Sequence, residues 1–211
     1  MPVVSAPRSR AHLAAVVLAG GRSTRFGRDK AGLQVGGRPL LDRIVGALAP
    51  VCDPVVVVRR PDQRLPALSH PAVELSDPAG LAGEGPLVGL LSALGYLERA
   101  GVPTAFVTAC DMPRVDADLA RCVAARLGRH GTMILPDDAG GRAQYLAAAV
   151  RVSVALSHTR RLVAAGERSM RALAASLRAD RLPAALLPDP SALAAFNTAE
   201  AFARIFGAPP P

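Results

Sequence analysis

Short apolar runs alternate along this chain with longer segments in which apolar residues recur every three or four positions. The runs are AAVVLAG (14–20), PVVVVRR (54–60) and PTAFVTACD (103–111). Unbroken apolar runs of this kind are typical of strands that are covered on both faces in a parallel sheet. The segments between them have helical spacing and predict two helices, with apolar positions at Leu40, Leu41, Ile44, Val45 and Leu48 and at Leu87, Leu90, Leu91, Leu94 and Leu97.

The same alternation continues in the second half of the chain. DADLARCVAARL predicts a helix that begins at Asp116, and TMILP (132–136) and AQYLAAAVRV (143–152) predict strands. VALSHTRRLVAAG and RSMRALAASLRA predict two helices joined at Gly166. The pattern indicates an α/β fold: a three-layer, doubly wound (Rossmann-like), mostly parallel sheet with helices on both faces. We expect a single domain over residues 13–206, a disordered N-terminal extension over 1–12 and a mobile tail over 207–211.

Composition argues against several other classes of protein. Half of the 211 residues are hydrophobic, but no apolar stretch reaches the roughly 18 residues that a membrane span requires. No apolar signal segment precedes the first strand, so we expect a soluble, cytoplasmic protein without a membrane partner. Cys52, Cys110 and Cys122 have neither paired-ligand spacing nor an even number, which argues against a disulfide framework or a zinc site.

The formal net charge of +8 raises the question of a nucleic-acid partner. The arginines, however, are spread along the whole chain, and aromatic residues, which stack on single-stranded bases, make up only 3% of it. We therefore expect no nucleic-acid partner. A small substrate rich in phosphate accounts for the charge more economically.

The stretch LAGGRSTRFGRDK (18–30) follows the first predicted strand directly. In an open α/β sheet, ligands bind beyond the carboxyl ends of the strands. Gly20 and Gly21 allow a close approach to the backbone, and Arg22, Arg25, Arg28 and Lys30 supply positive charge, which together indicate a phosphate-binding loop. The spacing matches neither G-x-G-x-x-G nor G-x-x-x-x-G-K-[ST], so the two familiar nucleotide motifs are absent.

This stretch, followed by GGRPLLDRIV (36–45), resembles the signature of the molybdenum cofactor guanylyltransferases at nearly every fixed position. Three later segments resemble family elements in the family's order: GPLVGLLSAL (85–94), TACDMP (108–113) and FNTAEAF (196–202). GRAQYLAAAVR (141–151) and LVAAGERSMRAL (162–173) also resemble family segments. The resemblance covers roughly residues 13–203 and implies a fold of the nucleotidyltransferase type.

The resemblance implies that GTP and molybdenum-loaded molybdopterin are converted into the guanine dinucleotide cofactor and pyrophosphate. It implies that Arg25 and Lys30 engage the phosphates, that Asp111 holds Mg²⁺, with Mn²⁺ as the alternative ion, and that Asp77 contacts the nucleotide. The residues implied to cradle the base and ribose are Leu18, Ala19, Gly20 and Gly21. Transient contact with proteins that insert or accept the cofactor is a further implication.

Five more residues are candidate substrate contacts: Gly85, Pro86, Gly89, Asn197 and Thr198. Each of the polar candidates also has a purely structural interpretation. The structural alternative for Asp111 is a cap of the turn before Pro113, that for Asp77 is an ordinary Asp-Pro turn, and that for Asn197 is the cap of the last helix. A proline such as Pro86 is common in the first turn of any helix.

Some positions depart from the family pattern. Val58 and Arg59 lie where many members have an asparagine that contacts the guanosine, Phe26 replaces the commoner methionine, and Tyr145 stands where proline is frequent. Three other functions stay open. The sister cytidylyltransferases have L-A-A-G where this chain has LAGG, sugar-nucleotide pyrophosphorylases have A-A-G-x-G-T-R, and a noncatalytic nucleotide-binding module would not require both Lys30 and Asp111.

Overall fold

The computed structural model describes residues 13–21, 26, 29–78, 80–128 and 131–210, so the extension predicted over 1–12 lies outside the described residues. The strands are β1 (Ala14–Leu18), β2 (Gln34–Val35), β3 (Arg38–Pro39), β4 (Val55–Arg59), β5 (Val73–Ser76), β6 (Thr104–Ala109), β7 (Met133–Pro136), β8 (Ala147–Arg151) and β9 (Asp180–Leu182). The helices are α1 (Leu40–Leu48), α2 (Pro86–Arg99), α3 (Ala117–Ala125), α4 (Val152–Ala164), α5 (Met170–Leu177) and α6 (Ala199–Phe206).

Seven strands form one sheet in the order β5-β4-β1-β6-β8-β7-β9, and β2 pairs with β3 in a separate hairpin. β1 lies at the centre of the parallel part, paired with β4 and β6, and β4 pairs parallel with β5. β8 runs antiparallel to both β6 and β7, whereas β9 is parallel to β7. The predicted mostly parallel sheet is therefore confirmed, with one reversed strand inside it.

Both faces of the sheet are covered, which confirms the three-layer prediction. Ala15 and Val17 pack into a core with α1 and α3, whereas Ala14 and Val16 pack into a second core with α2, α4 and α5. All four side chains are fully buried. This two-sided burial explains why β1 is apolar without alternation, since each successive residue enters one core or the other.

Several short elements differ from the sequence predictions. The strand predicted from residue 143 begins at Ala147, because Asp138 holds residues 138–144 in a turn by accepting the N–H groups of Gly140 and Arg142. The β2–β3 hairpin, β5 and β9 were not predicted. They are two to four residues long, which is too short for a periodic pattern to be distinguished.

The topology brings four chain segments to one edge of the sheet. β1, β4, β5 and β6 run parallel, so their carboxyl ends at Leu18, Arg59, Ser76 and Ala109 lie together. The segment 19–30, which we call the glycine loop, follows β1. Asp77 comes shortly after β5, and Asp111 comes shortly after β6. In the described part of the chain, none of the helices combines the length and apolar character that a membrane crossing requires.

Candidate functional site

A cavity of about 500 Å³ lies at this edge of the sheet. It contains most of the residues singled out from the sequence. Those that line it are Leu18, Ala19, Gly20, Gly21, Lys30, Asp77, Gly85, Pro86, Gly89, Asp111 and Asn197. Arg25 lies outside the described residues, and Thr198 is not among the lining residues. The packed chain thus brings together groups that span nearly its whole length.

Asp111 presents a carboxylate that the described protein satisfies only in part. Its Oδ1 atom is buried and has no hydrogen-bond partner among the described residues. Burial raises the pKa of the Asp111 carboxyl above its ordinary value, and the nearby Lys30 ammonium opposes that shift. A buried polar atom without a partner is costly, so this oxygen is suited to a cation that arrives with a ligand.

Lys30 is 8% exposed, and its ammonium is fixed from the other end of the chain. Nζ donates to the Phe196 carbonyl and to Asn197 Oδ1, both at 2.8 Å. It also lies 4.9 Å from the centre of the Phe196 ring, within cation–π range. Burial lowers the pKa of the Lys30 ammonium, and Asp111 and Cys110 oppose that effect. The amine is therefore held by Phe196 and Asn197 at a place where its charge interacts with the Asp111 carboxylate.

The C-terminal segment joins the two charged residues. The Phe196 N–H donates to the Asp111 carbonyl at 2.9 Å. The Phe196 ring makes edge contacts with the rings of Phe26 and Phe202, and each of those ring centres lies 5.3 Å from its own. The cap of α6 is Thr198, whose hydroxyl accepts from the Ala201 N–H at 3.2 Å. The side chain of Asn197, for which capping was the structural alternative, is turned to Lys30 instead.

Asp77 lines the opposite wall, where its carboxylate accepts the Gly83 N–H at 2.8 Å. Burial raises the pKa of the Asp77 carboxyl, and the Gly83 N–H and the Arg60 guanidinium oppose the shift. Gly89 on α2 packs against this residue: a Cβ there would lie 3.2 Å from Asp77 Oδ1 and 3.3 Å from Leu18 Cδ2. A glycine at position 89 therefore lets α2 approach the wall closely.

The start of α2 is tied to the helix hairpin formed by α4 and α5. Gly85 has φ of 127°, and a Cβ there would lie 2.9 Å from the Arg168 carbonyl oxygen. That same oxygen accepts the Leu87 N–H at 3.2 Å, and Arg168 pairs with Glu84 at 2.7 Å. Pro86 is the first residue of α2, where the fixed φ of proline favours the start of a helix. It also lines the cavity wall.

Sequence reasoning missed two residues that hold the glycine loop from behind, Arg60 and Gln63. They follow β4 and donate to the carbonyl groups of Ala19, Gly20 and Gly21. The available signal was the polar run RRPDQ at the carboxyl end of a buried strand. Val58, which stands where the family often has asparagine, lines the cavity but offers no polar atom.

The described residues hold no group of three or more histidine, cysteine, aspartate or glutamate side chains that could bind a metal ion by themselves. The carboxylates that line the cavity are Asp111, which has one unpartnered oxygen, and Asp77, which accepts the Gly83 N–H. This set fits Mg²⁺, which protein sites commonly bind through one or two carboxylates together with water and substrate phosphates. It would not hold an ion that requires a complete protein cage.

Comparisons with known proteins identify the family to which this chain is similar. Residues 15–182 match the family model described as MobA-like NTP transferase domain. The chain is 39% identical to a probable molybdenum cofactor guanylyltransferase of Mycobacterium avium over 189 residues, which cover 88% of this chain and 91% of that protein. It is 43% identical over 164 residues to a protein of the same description from Mycobacterium tuberculosis, covering 76% and 78%.

Solved structures share the fold. Molybdopterin-guanine dinucleotide biosynthesis protein A of Archaeoglobus fulgidus superposes with a TM-score of 0.75 at 21% identity, covering 92% of this chain and 97% of that one. A 4-diphosphocytidyl-2C-methyl-D-erythritol synthase of Anaerococcus prevotii gives a TM-score of 0.64 at 10% identity, covering 94% and 98%. At these identities the likeness shows the fold alone.

Proposed function

Because the chain belongs to the MobA-like NTP transferase family, we propose that it transfers GMP from GTP to molybdenum-loaded molybdopterin and releases pyrophosphate. The observation that carries the proposal is the cavity in which the glycine loop, Lys30 and Asp111 meet, with one Asp111 oxygen buried and unpartnered. A binding site for a neutral ligand would gain nothing from that arrangement.

The reaction forms one phosphorus–oxygen bond and breaks another. A terminal phosphate oxygen of the pterin attacks the α-phosphorus of GTP, and the bond from that phosphorus to the oxygen bridging to the β-phosphate breaks. The electron pair leaves with pyrophosphate. Such a transfer requires little covalent chemistry from the protein, and catalysis rests on positioning and on stabilisation of negative charge.

Lys30 supplies positive charge at a fixed place. An ammonium group has three N–H donors, and the Phe196 carbonyl and Asn197 Oδ1 account for two of them among the described residues. We assign the third to a phosphate oxygen. A preorganised donor in a partly buried site is worth about 2.7–4 kcal/mol in a transition state, because it does not have to reorient during the reaction.

Asp111 would hold the divalent ion, for which we propose Mg²⁺ with Mn²⁺ as the alternative. When bound, the ion neutralises charge on the triphosphate and on the leaving pyrophosphate. Asp111 itself contributes an ionised carboxylate whose orientation is fixed by the end of β6 and by the hydrogen bond from the Phe196 N–H to its carbonyl. Asp77 would contact the nucleotide from the other wall of the cavity.

We assign the choice of base to the segment Leu18, Ala19, Gly20 and Gly21. Gly20 packs against the β4 loop, since a Cβ there would lie 3.3 Å from the Arg60 nitrogen. The alanine that the cytidylyltransferases have in L-A-A-G would shift this contact. The resemblance of LAGG to the guanylyltransferase signature, rather than to L-A-A-G, favours guanine. We extend the proposal to a single domain over 13–206, a cytoplasmic location and transient contact with proteins that insert or accept the molybdenum cofactor.

The test is pyrophosphate release by the purified chain with Mg²⁺ and each of GTP, CTP, ATP and UTP, with and without molybdenum-loaded molybdopterin. We expect release with GTP only, dependent on the pterin, and its loss in Lys30→Ala. Asp118→Asn serves as the matched control, because that exposed carboxylate pairs with Arg121 away from the cavity.

Other outcomes would contradict the proposal in distinct ways. Turnover with CTP in place of GTP would assign the chain to cytidylyl transfer. Nucleotide binding without turnover in any mixture would favour a noncatalytic binding module. Unchanged activity in Lys30→Ala would remove this lysine from the phosphate site.

A further inference from the structure

The loop after β4 grips the glycine loop through its carbonyl oxygens. Arg60 Nη1 donates to the Gly20 carbonyl at 3.2 Å and to the Gly21 carbonyl at 2.9 Å. Gln63 Nε2 donates to the Ala19 carbonyl at 3.1 Å. Two side chains that follow β4 therefore hold three consecutive carbonyl groups of the glycine loop. We call residues 59–63 the clamp segment.

Gln63 also connects the two ends of the glycine loop. Its Nε2 atom donates to both carboxylate oxygens of Asp29, at 2.8 and 3.1 Å, as well as to the Ala19 carbonyl. Asp29 Oδ1 in turn accepts the Ala31 N–H at 3.0 Å. Gln63 is 5% exposed and its bond to the Ala19 carbonyl is buried, whereas its bonds to Asp29 are only partly buried. The side chain closes the loop just before Lys30.

The clamp segment is itself stiffened from within. Arg59 Nη1 donates to the carbonyl oxygens of Arg60, Pro61 and Gln63 at 2.8–3.1 Å. The Arg60 N–H donates to Gln63 Oε1 at 3.2 Å, which fixes the amide of Gln63 in one orientation. These hydrogen bonds within the clamp segment fix the positions from which Arg60 and Gln63 donate to the glycine loop.

These bonds determine which way the loop amides point. In a planar trans peptide, the carbonyl of one residue and the N–H of the next point in opposite directions. With the Ala19 and Gly20 carbonyls turned to the clamp segment, the N–H groups of Gly20 and Gly21 are turned away from it. Both glycines line the cavity, and successive N–H groups on one side of a loop form a binding site for anions.

We propose that Arg60 and Gln63 are positioning residues that orient the Gly20 and Gly21 amides toward bound nucleotide and so determine its affinity. The inference rests on the proposed function only for the identity of the ligand as a nucleoside triphosphate. Neither Arg60 nor Gln63 is among the residues that line the cavity. Val58 lines the same cavity, and its side chain offers no hydrogen bond to a ligand.

The test measures GTP binding by calorimetry with Mg²⁺ and no pterin, together with the steady-state constants. We expect Gln63→Ala and Arg60→Ala each to weaken the Kd for GTP by about tenfold, because each change removes hydrogen bonds to the carbonyl groups of the glycine loop. KM should rise by a similar factor, while kcat changes less, since Lys30 and Asp111 are untouched. Arg60→Lys retains a cationic donor and should restore most of the affinity.

Arg64→Ala is the matched control, because it removes the same charge from an exposed position next to Gln63. We expect it to keep the wild-type Kd. Gln63→Glu provides a second variant if Gln63→Ala fails to fold: it keeps the size of the side chain but places a carboxylate against that of Asp29. It should weaken GTP binding as Gln63→Ala does.

The proposed role of Arg60 and Gln63 would be overturned if Arg60→Ala and Gln63→Glu fold and bind GTP with the wild-type Kd. It would also be overturned if kcat and affinity fell equally in these variants and the unfolding midpoint fell as well. A wild-type chain that binds GTP but releases no pyrophosphate would contradict the proposed function and leave the clamp testable by binding alone. A wild-type chain that binds no nucleotide would overturn both.

Discussion

Two aspartates of this protein, the buried Asp42 and the partly buried Asp111, have opposite surroundings. Asp42, on α1, is 2% exposed and accepts the Ser69 N–H at 2.6 Å, the Ser69 hydroxyl at 3.2 Å and Arg38 Nε at 2.8 Å. The Ser69 N–H, together with Arg38, holds the pKa of Asp42 below its ordinary value. Asp111 has a buried oxygen without a partner in the described chain, and burial raises its pKa.

The difference separates a structural carboxylate from a ligand-binding one. The bonds of Asp42 attach α1 to the loop before β5, and they offset the cost of removing its charge from water. At Asp111 the Lys30 ammonium offsets only part of that cost, and the pKa of the carboxyl is still raised. A charged group retained in an unfavourable place indicates function, since stability alone would favour its replacement.

The largest effect expected to separate the two sites is on turnover. Asp111→Asn should lower pyrophosphate release by about 100-fold or more, because it removes the charge that holds the cation. Its free energy of unfolding at neutral pH should be unchanged or higher, since a raised pKa means that folding disfavours the carboxylate. Pyrophosphate assays and urea denaturation of the same preparation measure both quantities. A destabilised variant with normal turnover would make Asp111 a structural residue like Asp42.

Asp42→Asn should show the reverse pattern. We expect the free energy of unfolding to fall by about 1–3 kcal/mol, because the Ser69 N–H and the Arg38 guanidinium lose a charged acceptor. The value of kcat should stay close to that of the wild type. Asp118→Asn again provides the control, since its exposed pair with Arg121 should contribute less than about 1 kcal/mol. Equal stability of these two variants would contradict the structural role of Asp42.

The raised pKa of Asp111 should affect the pH dependence of turnover, and the lowered pKa of Asp42 should affect the pH dependence of stability. Asp111 must be ionised to hold a cation, so its raised pKa places the acid limb of kcat/KM above the ordinary aspartate value of about 3.9. The stabilisation from Asp42 is fully present above the unfolded pKa and is lost as pH falls through its lower folded pKa. Rate profiles, and unfolding curves of wild type against Asp42→Asn, test the two shifts separately. An acid limb below that value would contradict the raised pKa.

The smallest effect is expected at Gly20, where the contact is tight but open to adjustment. A Cβ would lie 3.3 Å from the Arg60 nitrogen and 3.4 Å from the Arg59 carbonyl carbon, so Gly20→Ala should shift the loop by a fraction of an ångström. We expect KM for GTP to rise by about threefold, with a smaller change for CTP. Gly32→Ala is the control, because a Cβ there meets no atom within 4 Å. Equal constants for both variants would show that the Gly20 contact is not selective.

Local sequence predicted the centre of the fold well. β1, β4 and β6 are continuous apolar runs because both faces of each are buried, and such runs are visible without knowledge of any partner. The rule that ligands bind at the carboxyl ends of parallel strands then placed the glycine loop and Asp111 at one edge. β5, β9 and the β2–β3 hairpin escaped prediction, because strands this short are defined by their neighbours rather than by their own pattern.

What the sequence by itself determined is the chemistry available at the cavity: glycines, a lysine and two aspartates at strand ends. The tertiary structure alone decided how those groups are held. Lys30 is fixed by Phe196 and Asn197 from the far end of the chain, and Gln63 joins Ala19 to Asp29. The tertiary structure also decided that the carboxylate of Asp42 has hydrogen-bond partners on both oxygens, whereas Asp111 Oδ1 has none among the described residues. Burial and hydrogen-bond partners belong to the packed chain, because they depend on which distant segments meet, and no local pattern records that.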